Sequence, residues 1–372
     1  MGRRQCAVEN LVGMFGKFYS GKTAWVTGHT GFKGAWLSLW LRDLGANVHG
    51  LALAPHAPPN LHETLAPKTF ASEIIGDIGD FDFVKQAAAE LKPDIVFHLA
   101  AQPLVRRSYD APLETATTNI LGTAHVLEAL RQNKIDCPIV VVTSDKCYEN
   151  DGTSHAFTEA DPLGGHDIYS ASKAATEIMT RSWQRAFGGR IATARAGNVI
   201  GGGDYGIARI VPDCVRSLVV GEPIAVRSPA ATRPWQHVLD CLSGYLWLGA
   251  RLAEDDAFAD AFNFGPTPEA QRPVRELVEN FLTHWPGDWT DASDPTAPHE
   301  ATTLSLAIDK AREQLGWQPV WDFATAVQRT ARWYHQRHVV NAEDLHGLSL
   351  AQLEAYTADA TAKTGASAAW AK

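Results

Sequence analysis

Cysteine is scarce in this 372-residue sequence, and its five positions (Cys6, Cys137, Cys147, Cys214, Cys241) are odd in number with no CxxC spacing. That spacing suggests neither a disulfide framework nor a thiolate zinc centre, and no metal site is expected. Free thiols in apolar runs fit a cytoplasmic protein. Long apolar runs are also missing. No stretch approaches the roughly 20 residues that a membrane-spanning helix needs. No apolar segment follows Met1-Gly2-Arg3-Arg4, so no secretion signal is read, and Met14 offers an alternative start. A myristoylation signal is lacking too, because Cys6 stands where Ser or Thr is needed. Positive charge is not in excess: Lys+Arg is 33 against Asp+Glu 42, a net charge of −9, with no basic run. General binding to nucleic acid or to an anionic membrane is therefore not expected, although a local basic pocket for a phosphorylated small molecule is compatible. Gly and Pro show no period, and hydrophobic residues make up 45%. Disordered, collagen-like and coiled-coil chains are thereby excluded.

What is present is an alternation of short apolar runs and helical patterns. Ala24-Trp25-Val26, Asn47 to Leu53, Ile95 to Leu99, Ile139 to Val142 and Ile191 to Ala194 read as strands. Helices are expected over Ala35 to Leu44, Phe81 to Leu91, Thr117 to Arg131 and Tyr169 to Ala186, and the proline-bearing residues 55–72 read as a loop. Near-continuous apolar strands separated by helices predict a Rossmann-like, doubly wound parallel α/β sheet covered on both faces. The expected organisation is a dinucleotide-binding domain over residues 15–200, with a returning segment near 235–265. Residues 201–350 form a smaller C-terminal substrate-binding part with helices such as Val274 to Leu282. Residues 1–14 and 355–372 are expected to be peripheral, the Ala/Thr-rich tail frayed. Twelve Trp are more than usual, and Trp36, Trp40 and Trp247 lie on apolar helical patterns that suggest core.

Three motifs carry chemistry. Gly28, Gly31 and Gly34 form a GxxGxxG between the first strand and the first helix. Glycines let a pyrophosphate approach the backbone, and the helix start supplies free N–H groups and a positive end. The acidic residue that commonly follows about 20 residues on to hold a ribose hydroxyl is missing, as is an arginine for a 2′-phosphate. NAD is therefore favoured over NADP only weakly. Asp77 lies where a loop can reach the adenine. The second motif, Tyr169-Ser170-Ala171-Ser172-Lys173, puts Tyr169 and Lys173 on one helix face. An ammonium and a cationic nicotinamide beside the phenol favour its ionised form, so that Tyr169 can take a hydroxyl proton. The third, Thr143-Ser144-Asp145-Lys146, ends an apolar strand, where α/β sheets place their ligand crevice. Ser144 can hydrogen-bond a reacting hydroxyl. A simple dehydrogenase or epimerase needs no more than Ser/Thr, Tyr and Lys. The additional acid and base, Asp145 and Lys146, are what elimination of water requires.

With these residues in hand the sequence resembles the extended short-chain dehydrogenase/reductases, and within them the CDP-glucose 4,6-dehydratases. The matching runs include Val26 to Gly34, His98-Leu99-Ala100-Ala101-Gln102-Pro103, Val142 to Tyr148 and Gly164 to Asp167. Arg195 to Gly201, Arg233 to Val238 and Leu315 to Pro319 also match, so the resemblance spans roughly residues 15–345. Related dTDP- and GDP-sugar dehydratases carry Glu where Lys146 stands. The resemblance implies an NAD-dependent hydro-lyase converting CDP-glucose to CDP-4-keto-6-deoxyglucose, in a homodimer or homotetramer. It implies cofactor contacts from Gly28, Thr30, Gly31, Phe32, Gly34, Asp77, Ala100, Gln102, Asn119, Tyr169 and Lys173. Asn198, Arg233 and Arg209 are implied as nucleotide-sugar contacts, Arg209 the weakest of the three. Gln102 and Asn119 are equally suited to satisfying backbone groups, and His98 reads as a core histidine. Alternative readings are a nucleotide-sugar 4-epimerase, a dehydratase of another nucleotide sugar, and a non-catalytic NAD-binding protein.

Overall fold

Apolar runs without alternation need cover on both sides, and the computed structural model shows them stacked in one sheet. It describes residues 14–55, 58–150, 152, 155–294, 304–364 and 369–371. Cys6 lies outside the described residues. Seven parallel strands form the sheet: β1 (Thr23–Thr27), β2 (Asn47–Ala52), β3 (Ser72–Ile75), β4 (Ile95–His98), β5 (Ile139–Val142), β6 (Ile191–Ala196) and β7 (Ala261–Phe264). Their spatial order is β3-β2-β1-β4-β5-β6-β7. The chain winds outward from β1 to β3 and then returns to the other side of β1, where β4 pairs Phe97 with Val26. That reversal opens a crevice beyond the carboxyl ends of β1 and β4.

The two faces feed separate cores. Along β1, Ala24 and Val26 enter one core and Trp25 the other; on β5 Val140 and Val142 oppose Ile139 and Val141 in the same way. Helices α1 (Phe32–Asp43) and α7 (Val238–Glu254) cover the first face. Helices α3 (Phe81–Leu91) and α4 (Gly122–Gln132) cover the second. Helix α7 is buried almost all round, which is why its sequence is apolar all round. Trp36 and Trp40 are fully buried and Trp247 nearly so. The indole N–H groups of Trp36 and Trp247 donate to the Gly202 and Leu315 carbonyls at 2.8 and 2.6 Å. Each such ring removes a large apolar surface from water, worth about 1.5–3 kcal/mol for a large side chain.

Several local expectations are corrected. Residues 55–72 are not all loop: α2 (Leu61–Thr69) forms there, capped by Asn60, whose Oδ1 accepts the Glu63 N–H at 2.8 Å. Asn60 is a good N-cap and Leu61 and Leu65 bury one face, signals that the nearby prolines obscured. Strand β3 was not anticipated because, as an edge strand, it is largely exposed and mixed in character. The tail is not frayed. Helix α10 (Leu345–Thr364) buries Tyr356 and Ala360, and beyond it Trp370 is fully enclosed. At the other end Met14, Phe15 and Tyr19 are core residues, and the Trp370 ring stacks on Phe15 at 5.9 Å. Four aromatic anchors thus override an Ala/Thr composition that carries little amphipathic pattern. Helices α6 (Ile210–Val220), α8 (Val274–Leu282) and α9 (Phe323–His338) complete the part that overhangs the crevice. Among the described residues no helix is long and apolar enough to cross a membrane.

Candidate active site

The turn between β1 and α1 needs its glycines for measurable reasons. Gly28 has φ +76°, and a Cβ there would lie 2.7 Å from the Ala100 nitrogen. A Cβ on Gly34 would lie 2.2 Å from the Gly28 carbonyl oxygen. The helix start is thereby pressed against the turn. Gly31 occupies the N-cap with no side chain to accept from the first turn, so N–H groups at the start of α1 stay available to an anion. These features fit a dinucleotide pyrophosphate. Beside them is a cavity of about 560 Å³, within the range of small-ligand sites. Of the expected cofactor residues it is lined by Gly28, Thr30, Gly31, Phe32, Gly34, Asp77, Ala100, Tyr169 and Lys173. Asp77 uses Oδ1 to accept the Gly79 N–H at 2.8 Å, which shapes the loop at the cavity edge.

Two expected residues do other work. Asn119 does not line the cavity. Its Oδ1 accepts the Gln102 N–H at 2.8 Å, and its Nδ2 donates to the Gln102 carbonyl and to Ser172 Oγ. Gln102 in turn clamps its own loop: Oε1 accepts from the Leu104 N–H and Nε2 donates to Thr115 Oγ1 at 2.8 Å. Both amides bond protein groups and support the loop under the cavity, and Gln102 also lines a neighbouring cavity. His98 is a core residue as expected. It bridges Thr27 and Thr123 hydroxyls at 2.7 and 3.0 Å, and burial lowers its pKa to about 3.

The groups expected to react come from the end of β5 and from α5 (Ile168–Phe187). Asp167 caps α5, accepting from the Ser170 N–H at 2.8 Å and its hydroxyl at 2.7 Å. The cap starts the helix so that Tyr169, Lys173 and Glu177 share one buried face, four residues apart. Burial pushes the Tyr169 phenol up to about 12, outweighing the nearby Ser144 hydroxyl, which favours its ionised form. Lys173 Nζ donates to the Val142 carbonyl at 3.3 Å. Burial, and then the charge of Lys33, bring its pKa down to about 8, while Glu177 opposes the fall. Lys33 lies inside the glycine run, lines the cavity and reaches toward the Tyr245 hydroxyl at 3.4 Å. In the sequence Lys33 carries no signal of its own, because the glycine run points to backbone contacts.

Ser144 Oγ donates to Asp145 Oδ1 at 3.0 Å and accepts from the Lys146 N–H at 3.2 Å. Asp145 is buried, and its Oδ2 has no partner. That oxygen faces Gly197, where a Cβ would come within 3.0 Å of it. Behind this turn is a polar network. Thr143 donates to Glu177, Glu177 pairs with Arg195 at 2.8 Å, and Arg195 donates to Tyr148, which donates to Asn263 at 2.7 Å. A buried pair satisfied on so many sides fixes geometry more than it adds stability.

Asn198, Arg209 and Arg233 line the same cavity and an adjoining one of about 1280 Å³, which shares Lys146 with it. Arg209 is held by Asp204, with both oxygens 3.1 Å from one guanidinium nitrogen. Arg233 is buried and donates to the Thr232 carbonyl at 2.9 Å. Two arginines beside the reacting groups suit a phosphorylated ligand.

A Rossmann-type sheet, a glycine-lined dinucleotide crevice, a Tyr–Lys pair and an adjacent acid–base pair define a nucleotide-dependent enzyme of the short-chain dehydrogenase/reductase type. The chain belongs to the GDP-mannose 4,6 dehydratase family, whose model matches residues 25–330. It is 41% identical over 355 residues to a CDP-glucose 4,6-dehydratase of Salmonella typhimurium, covering 92% of this chain and 98% of that one. A dTDP-glucose 4,6-dehydratase of Xanthomonas campestris is 27% identical over 328 residues, 83% of this chain and 92% of its own. Among solved structures, DesIV of Streptomyces venezuelae, a dTDP-glucose 4,6-dehydratase with NAD and TYD bound, superposes with a TM-score of 0.74 at 25% identity, covering 87% of this chain and 99% of that one.

Proposed function

We propose that the protein is an NAD-dependent CDP-glucose 4,6-dehydratase, forming CDP-4-keto-6-deoxyglucose and water. The observation that carries this reading is the Ser144-Asp145-Lys146 turn facing Tyr169 and Lys173 across one cavity. NAD bound along the glycine turn supplies the transient oxidation at C4 and the reduction at C6. Tyr169 takes the proton of the C4 hydroxyl, with the Ser144 hydroxyl beside the same phenol favouring its ionised form. Burial alone leaves the phenol protonated at neutral pH, so the positive charge of the bound nicotinamide is needed to favour the phenolate. The C4 ketone acidifies the C5 hydrogen, Lys146 removes it as a proton, and Asp145 gives a proton to the departing C6 hydroxyl. The unpartnered Oδ2 of Asp145 is the oxygen free for that transfer. Lys146 returns its proton to C5, and loss of the proton from Tyr169 and uptake of one by Asp145 from solvent reset both groups: one water leaves, and the cofactor ends as it began. Arg209 and Arg233 hold the diphosphate, with Asn198 beside them.

Residues 15–200 with the 235–265 return hold the cofactor, and residues 201–350 close over the nucleotide sugar. A homodimer or homotetramer fits the exposed Leu113, Leu121 and Ile178, and size-exclusion chromatography with light scattering checks it. Four cysteines without disulfides, Cys137, Cys147, Cys214 and Cys241, suit the cytoplasm.

The test is mass spectrometry of purified protein with NAD and, separately, CDP-, dTDP-, GDP- and UDP-glucose. Loss of one water from the CDP sugar alone is the expected result. Loss from another sugar overturns the cytidine specificity, and a C4 epimer of unchanged mass overturns the dehydration. The variant Asp145→Asn is expected to bind CDP-glucose and lose water at least 100-fold more slowly, as removal of a general acid does.

A further inference from the structure

Three residues that the dehydration chemistry does not use converge beside the dinucleotide turn. His29 follows Gly28 in that turn, His62 stands in the first turn of α2, and Glu73 lies in β3. One ligand atom from each lies within 4.8 Å of the others. Both Nε2 atoms face the same carboxylate oxygen, Glu73 Oε1: that of His29 at 3.1 Å, that of His62 in closer contact. The histidines are buried and Glu73 is exposed, so the cluster opens to solvent on its carboxylate side.

The ring positions are built by their neighbours. Gly50 on β2 lies so close under the His29 ring that a Cβ there would sit 2.4 Å from Cγ. Phe70 packs against both imidazoles, with ring centroids 5.0 and 5.7 Å away. Glu73 pairs with no lysine or arginine among the described residues; its carboxylate contacts are the two imidazoles. Two imidazoles and one carboxylate, converging from three segments with one side open to water, are a donor set for a divalent transition metal.

We propose that His29, His62 and Glu73 form a binding site for a divalent transition-metal cation, zinc by its donor set. The cation ties the dinucleotide turn and α2 to the edge strand β3. Its charge neutralises Glu73, and the open position takes a water. It plays no part in moving protons on the sugar, since the site lies on the far side of the glycine turn from the cavity, which His29, His62 and Glu73 do not line.

The test uses the full chain, untagged and purified without chelator, loaded with zinc and dialysed against metal-free buffer. About one zinc per chain is expected by elemental analysis. His62→Gln and Glu73→Gln are each expected to reduce zinc affinity about 10- to 100-fold with an unchanged far-UV circular dichroism spectrum. Cobalt loading should give the visible absorption of a low-coordinate His/carboxylate site in the wild type and not in either variant. Chelation should lower the Tm, and added zinc should restore it. Zinc far below one equivalent in the wild type, or equal retention by both variants, overturns the site and leaves a hydrogen-bonded triad only. Should His62→Gln fail to fold, the cobalt spectra of wild type and Glu73→Gln decide the matter.

Discussion

Asp240 in the first turn of α7 is fully enclosed, and its ionisation should leave a readable mark on stability. Its Oδ1 accepts from the Val320 N–H at 2.6 Å and the Tyr356 hydroxyl at 3.0 Å, while Oδ2 has no partner. Burial pushes the carboxyl up to about 7 from its ordinary 3.8, against those hydrogen bonds. Between those two values the folded protein keeps a proton that the unfolded chain has released. Stability therefore falls as the pH rises through that window. Roughly 3 pH units at about 1.4 kcal/mol each amount to about 4 kcal/mol. Asp240→Asn removes the titration and keeps an acceptor at Oδ1. The variant is expected to gain about 4 kcal/mol on the wild type between about pH 4 and pH 8, whatever constant offset the new amide brings. Urea unfolding followed by tryptophan fluorescence measures the difference. Burial lowers His98 and His237 to about 3, so they act in the opposite sense, their stability being lost as pH falls below 6.5. They are common to both proteins and cancel, as does Asp43, which burial raises to about 6. A difference that stays flat across the range refutes a protonated Asp240.

Gly34→Ala places a Cβ 2.2 Å from the Gly28 oxygen, and moving the turn by about 1 Å should weaken NAD binding about 100-fold in calorimetry; an unchanged Kd contradicts the cradle. Tyr169→Phe should lower kcat about 10²- to 10⁴-fold with little change in KM for CDP-glucose, and a change confined to KM contradicts its role as base. Trp370→Ala should cost about 3–5 kcal/mol by chemical denaturation, whereas a loss under about 1 kcal/mol would mean that the last turn is not docked.

Most of the sheet and the cluster of candidate reacting residues at one cavity were legible because each rests on a local signal. Gly28, Gly31 and Gly34 sit between a strand and a helix, and Tyr169 and Lys173 are a helix turn apart. What could not be read locally depends on tertiary contact. Asn119 looks like a cleft residue in one dimension, yet its side chain bonds the Gln102 backbone, while the Gln102 side chain clamps its own loop. Lys33 acts on Lys173 only because α1 and α5 both border the cavity. Strand β3 is a short exposed edge without a period of its own. Helix α10 has no clear apolar stripe, and single large rings hold it.

The stacking of Trp370 on Phe15 joins the first described segment of the chain to the last. A ribosome releases Phe15 long before it has made Trp370, so this contact waits for nearly all of the described chain to be synthesised. Until then the Phe15 ring lacks one of its aromatic neighbours, with Tyr19, Trp40 and Trp247 packed on the others. That seam therefore closes only after Trp370 has been made, and a variant truncated before Trp370 would leave it open.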